Sequence, residues 1–196
     1  MKRLILYFLP LALLLGACSK EKSIEFDANN PGTGGPGTGG PGTGGGGTGG
    51  YFFRCKIDGV AKNYSAFVIA QKIGAAGGPV SYAVSGSLVT NGTSFEGMGV
   101  QINTNIPLTT GTYSDDAGGT DYAIGAVYNP NSQTIVYGNL TVSPTDPLKI
   151  VITSLSNTEI AGTFKGTLYQ VDTQNPGAPN PPTKVISEGE FKAKFQ

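Results

Sequence analysis

The chain has 196 residues, no histidine, and 13 Lys plus Arg balanced by 13 Asp plus Glu, for a net charge of zero. The missing imidazole excludes Ser-His-Asp and Cys-His catalysis and removes the commonest metal ligand. Charged residues make up only 13% of the chain and no basic stripe exists to neutralise phosphates, so nucleic acid is not expected as a partner. Glycine, at 31 residues, with abundant Thr, Ser and Asn, gives the flavour of a secreted β-protein, and the aliphatic and aromatic residues that recur through the second part argue against a disordered chain.

The chain opens with Lys2 and Arg3, then an apolar run from position 4 to 15, then small residues. That is the build of a secretory signal peptide, and a body of about a dozen residues interrupted by Pro10 is too short for a membrane span. Leu15, Gly16, Ala17 and Cys18 close it. These four residues resemble the lipobox of bacterial lipoproteins, in which cleavage falls between the positions held here by Ala17 and Cys18. The resemblance implies that the Cys18 thiol carries diacylglycerol and its amine an acyl chain, which together hold a protein firmly to a membrane. Ser19, where an aspartate would favour inner-membrane retention, implies transport to the outer membrane. Apart from this covalent lipid no cofactor is expected. With Cys18 lipidated, Cys55 has no disulfide partner and must be buried, because an exposed thiol is a liability in an oxidising envelope.

Residues 31–50 read PGTGG three times and then GGTGG. A period of five fails the glycine-every-third rule of collagen, and no side chain here can join a core. Residues 18–50 are therefore expected to be a flexible tether, with a typical end-to-end distance on the order of 30 Å. Full extension would reach on the order of 100 Å.

From residue 51 to 196 the apolar period is two. Tyr51, Phe53, Cys55 and Ile57 alternate with Phe52, Arg54, Lys56 and Asp58, and Asp58-Gly59 marks a hairpin turn. Further strands are predicted over 60–64, 67–73 and 80–89, and from Met98, where Val100, Ile102, Thr104 and Ile106 share its face against Gly99, Gln101, Asn103 and Asn105. Residues 107–112 break the pattern; strands resume over 122–128, 134–143 and 148–155. Ile160, Phe164 and Leu168 form one face of the next. After a proline-rich loop over 172–182, the last strand is expected to point Val185, Ser187, Gly189, Phe191, Ala193 and Phe195 inward and Lys184, Glu188, Glu190, Lys192 and Lys194 outward. No helical period of useful length appears. The fold class is all-β: nine or ten sequentially connected strands in an antiparallel sandwich, with an up-and-down barrel as the alternative.

Four groups of residues could carry chemistry. Glu188 and Glu190, two apart on a strand, would share a face about 7 Å apart, within the range of paired glycosidase acids. The lysines on that face make a solvated outer surface the plainer explanation. Asp115, Asp116 and Asp121, with glycines between them, form an acidic loop that could supply part of a calcium site but does not follow the EF-hand order. Tyr82, Tyr113, Tyr122, Tyr128 and Tyr137 could stack on sugar rings or pack within a sheet. The glycine-rich 74–78 segment lacks the Lys-Ser/Thr ending of a phosphate cradle.

Ile150-Val151-Ile152-Thr153-Ser154-Leu155, Glu159-Ile160-Ala161-Gly162-Thr163-Phe164 and Ile186-Ser187-Glu188-Gly189-Glu190-Phe191 resemble the I-x-G-T-F and G-x-F strands of an uncharacterised domain family of Bacteroidota outer-membrane lipoproteins. The resemblance implies an all-β domain on a lipid anchor and carries no activity. The expected role is a non-enzymatic binding or interaction module whose partner is the membrane together with a glycan or an envelope protein. An accessory subunit of an envelope complex is the alternative, and a carboxylate-based glycan hydrolase a further one.

Overall fold

The computed structural model describes residues 50–74, 78–89, 95–116, 121–130, 135–139, 146–171 and 181–196. The signal peptide, Cys18 and the repeat tether lie outside the described residues. What is described is all-β, without a helix. Eleven strands follow in order: β1 (Phe52–Ile57), β2 (Val60–Asn63), β3 (Phe67–Gly74), β4 (Val80–Val89), β5 (Phe95–Thr104), β6 (Gly111–Ser114), β7 (Tyr122–Asn129), β8 (Tyr137–Gly138), β9 (Lys149–Leu155), β10 (Glu159–Gln170) and β11 (Thr183–Lys194).

All eleven belong to one antiparallel sheet with the order β2-β1-β11-β10-β8-β7-β5-β4-β3, and β9 and β6 extend from β10. The two layers anticipated from sequence are thus two limbs of one curled sheet. β10 joins them: residues 160–165 pair with β9, while Tyr169 and Gln170 pair with β8. The limbs face each other, with Tyr82, Val84, Val100 and Ile102 across from Ile150, Ile152, Ile160 and Phe191. The curl continues until β3 meets the chain end, where Ala70 bridges Phe195 and its carbonyl accepts the Gln196 N–H.

Local chemistry sets this path. Asp58 and Gly59 have φ of +50° and +79°, the paired left-handed geometry of a tight hairpin turn, so β2 folds directly back on β1. The Asp58 carboxylate ties that turn to β11, accepting the Val185 N–H at 2.9 Å and the Lys184 ammonium at 2.7 Å. The lysine hydrogen bond, ahead of the backbone one, holds the Asp58 carboxyl below its ordinary range. Phe53 is fully buried, with ring centroids 5.1 Å from Phe164, 5.7 Å from Tyr64 and 6.3 Å from Phe191. Gly86 of β4 lies against this cluster; a Cβ there would stand 2.6 Å from Tyr64 Cβ and 2.8 Å from Phe53 Cβ.

Three sequence expectations are corrected. The inward set of β11 changes parity: Ile186 is buried and Val185 is 47% exposed, whereas Gly189, Phe191 and Ala193 point inward as anticipated. The cause is a β-bulge. Arg54 faces Glu190 but Lys56 faces Ser187, so Glu188 and Gly189 together oppose Cys55, and Glu188 takes a φ of +49°. The extra residue shifts alternation by one, which a strict period of two cannot express. Second, β6 begins at Gly111, within the region read as a break, and its Gly111–Ser114 pair with β9. Third, β5 starts at Phe95 and is buried on both faces; Ile106 lies beyond its end and is exposed, while the outward Gln101 is buried and donates to Ser81 Oγ at 2.9 Å and Asn103 Oδ1 at 2.7 Å. Of the strand expected over 134–143, Tyr137–Gly138 are observed; residues 134 and 140–143 lie outside the described residues.

Replacing Gly86 by alanine forces a methyl into this packing and is expected to cost about 2 kcal/mol of unfolding free energy. Glu188→Gly removes a left-handed strain of about 1–2 kcal/mol and an exposed ion pair worth less, and should be neutral to mildly stabilising. Urea titration of both variants checks this pair; equal destabilisation would contradict the bulge assignment.

Candidate functional site

The structure brings together a buried polar cluster that the sequence did not single out. Glu96, near the start of β5, is buried on the same inward parity as Met98, Val100 and Ile102. Its Oε2 accepts from Lys62 Nζ at 2.9 Å, and its Oε1 accepts the hydroxyls of Tyr64 at 3.1 Å and Tyr128 at 3.3 Å. Lys62 comes from β2, Tyr64 from just beyond it, and Tyr128 from β7. One carboxylate thus clamps the β1–β2 hairpin to the β5–β7 limb. The signal was present in the sequence, since Glu96 continues the apolar register two residues before Met98. It was missed because the strand was started at Met98.

Cys55 lies close to this cluster. It is buried and free, as its parity required. Burial first, and then the Glu96 charge, pushes its thiol up to about 12. Burial also raises the phenols of Tyr64 and Tyr128 well above their ordinary range, with the Glu96 carboxylate adding to the effect. At neutral pH the thiol and both phenols are therefore protonated. The phenols act as donors to Glu96 and the thiol as a small apolar filler. The arrangement is a structural clamp: the carboxylate that could serve as a base already accepts three donors.

The other sequence candidates are placed as follows. Glu188 and Glu190 each meet a cation from β1: Glu188 Oε1 is 2.7 Å from Lys56 Nζ, and Glu190 Oε2 is 2.6 Å from Arg54 Nη2. The bulge at Glu188 breaks the extended geometry assumed for an acid pair, and both belong to a charge-alternating outer face. Asp115 is half-buried, and burial raises its carboxyl, with one oxygen lacking a hydrogen-bond partner among the described residues. Asp116 accepts from Ser114 Oγ, and Asp121 is exposed on the far side of residues 117–120, which lie outside the described residues. Among the described residues no group of three or more acidic or cysteine side chains converges as a metal site would require.

The tyrosines are divided. Tyr82, Tyr128 and Tyr137 are buried in the core. Tyr113 and Tyr122 pack edge to face at 5.0 Å, and the Tyr113 hydroxyl is occupied by the Thr109 backbone. The five rings therefore do not form a common platform. Of the glycine-rich 74–78 segment, residues 75–77 lie outside the described residues.

No protein-family model, curated protein or solved structure matches this chain.

The clamp predicts an alkaline limit to stability. The ordinary values are 9.0 for the Cys55 thiol and 10.0 for the two phenols, and all three are raised in the fold. Their contribution is therefore complete below those ordinary values and falls away as pH rises through them toward the folded values. Thermal melts should be flat in this respect through neutral pH and drop above about pH 9. Tyr64→Phe should lose about 1 kcal/mol at pH 7 and soften the alkaline drop. A thiol reagent at pH 8 should modify Cys55 only after denaturation; rapid labelling of the native protein would contradict the assigned burial.

Proposed function

We propose that this chain is a lipoprotein of the Bacteroidota type, held at the outer membrane by acyl chains on Cys18, that displays its β-domain as a non-enzymatic binding or interaction module. The observation that carries the reading is the order Leu15-Gly16-Ala17-Cys18, a polar stretch, then the PGTGG repeat, then the domain. Each part has a mechanical role in this account. Two or more acyl chains supply a stable anchor. The glycine-rich segment lifts the domain tens of ångströms from the headgroups without fixing its orientation. The domain then meets a glycan or an envelope protein through its loops or an exposed sheet face.

The domain's own residues are consistent with this role. The carboxylates best placed to serve as acids are engaged in ion pairs at Glu188 and Glu190 or held by three donors at Glu96. Its buried thiol is held protonated. The outer face of β1 and β11, where Arg54, Lys56, Glu188 and Glu190 alternate in sign, is a polar surface suited to reversible contact.

Cell fractionation tests the anchor. Cys18→Ala is expected to move the protein from the membrane pellet to the soluble fraction. A variant that stays in the pellet to the same extent would overturn the lipoprotein reading. A polysaccharide panel tests the module: retention without turnover supports it, while cleavage would replace it with a hydrolase. A stoichiometric envelope partner on purification would favour the accessory-subunit role.

A further inference from the structure

The outward face of the limb built from β1, β11, β10, β9 and β6 is a regular array in which cations are generally neutralised. Arg54 meets Glu190 at 2.6 Å, Lys56 meets Glu188 at 2.7 Å and Lys192 meets Glu159 at 3.5 Å. Lys165 of β10 and Lys149 of β9 break this pattern as an adjacent pair, whereas Lys194, the other cation of this face without an ion pair among the described residues, stands opposite the Glu159 carboxylate in the register. Lys149 and Lys165 are direct partners in the antiparallel register, both outward, since their neighbours Phe164, Leu148 and Ile150 point into the core. Neither forms an ion pair among the described residues. Like charges directly opposed across strands destabilise a sheet, so this pair opposes the fold that carries it.

Hydroxyl-bearing residues flank the two lysines in the ladder. Ser114 faces Lys149 from β6, and the adjacent outward row runs Thr163, Val151, Thr112 across β10, β9 and β6. Three carboxylates lie nearby, and each already has a partner: Glu188, in the bulge across from Lys165, takes Lys56, Asp116 accepts from Ser114 Oγ, and Asp146 accepts from Thr167 Oγ1 at 3.0 Å. The surface is an open sheet face with no enclosed cavity, so its occupant must be extended. β10 is hydrogen-bonded on both sides, to β11 and to β9. β9 is likewise paired on both sides, to β10 and β6, so the strands that carry the lysines offer no backbone edge, and a ligand lying over them meets ammonium and hydroxyl groups. That donor set matches a chain of hydroxyls carrying repeated anionic groups.

We propose that Lys149 and Lys165, with the flanking Thr112 and Thr163 hydroxyls, form a binding site for an anionic polysaccharide bearing sulfate or carboxylate groups. This deepens the binding-module reading and rests on it, because it names the ligand class that the displayed domain would hold.

The test uses the full-length protein in detergent, with retention on immobilised dextran sulfate and on uncharged dextran measured at low and high salt. Retention on the sulfated matrix alone, lost at high salt, is expected. The double variant Lys149→Gln/Lys165→Gln should weaken it about tenfold, since both charge-assisted contacts of the site are removed. Lys72→Gln/Lys194→Gln, which removes the same charge elsewhere, should leave it within about twofold. The first double variant should also melt about 1–2 °C higher through relief of the like-charge pair, a gain that a merely structural role for these lysines would not give. Equal losses in both double variants would show attraction by net charge and overturn the site, as would absence of retention. Stronger retention on poly-glutamate than on the sulfated or a uronic-acid polysaccharide would replace it with an acidic-peptide surface. Released reducing ends in the same samples would sink the module reading itself, independently of the lysines.

Discussion

The packing of Phe53 against Tyr64, Phe164 and Phe191 is the contact on which the rest of the fold depends. Phe53 lies on β1, which is paired on one side with β2 and on the other with β11, and its fully buried ring sits where the two limbs of the sheet approach. Burying one such side chain contributes about 2–3 kcal/mol, and edge-to-face and tilted ring pairs add about 1 kcal/mol each. The close approach is possible because β4 presents Gly86 at that point. The Asp58-Gly59 turn, the Glu188 bulge and the Glu96 clamp all act at the borders of this cluster, each fixing where β1 and its neighbours lie.

A single curled sheet also explains how polar groups are distributed. The inner surface is largely apolar, and near one end Glu96 is met by Lys62 and Tyr64 from the β2 segment and by Tyr128 from β7. A carboxylate left unpaired there would be costly, and with three donors it instead specifies the register of the hairpin on the far limb. The outer surface of the opposite limb is charged and mostly neutralised, leaving the Lys149–Lys165 pair as its main unbalanced feature.

Much of this was legible in the chain. Alternation from Tyr51 onward gave the all-β antiparallel class and most of the strands, though not their order, in which β1 lies beside β11; Asp58-Gly59 gave the first turn, and parity placed Cys55 in the core. What was not legible has physical causes. A bulge at Glu188 adds one residue and exchanges the faces of everything before it on β11, and no side chain announces it. β6 holds only four residues and pairs with β9, distant in sequence. Gln101 reads as outward and solvent-facing, yet β5 is central and buried on both sides. For the candidate sites, the sequence already favoured a solvated, charge-alternating face for Glu188 and Glu190, but the partners that neutralise them come from β1, far away in the chain, and were not legible. The same long-range pairing hid Lys62, Tyr64, Glu96 and Tyr128 as a unit.

The central claim is that a lipid on Cys18 and a glycine-rich tether display this domain at the envelope. Mass spectrometry of the N-terminal peptide from the mature, detergent-extracted protein tests it most directly. The account predicts a chain that begins at Cys18 and carries the mass of a thioether-linked diacylglycerol with an amide-linked acyl chain. A mature protein with an unmodified N-terminus, or one cut at any other residue with a free Cys18 thiol, would contradict it.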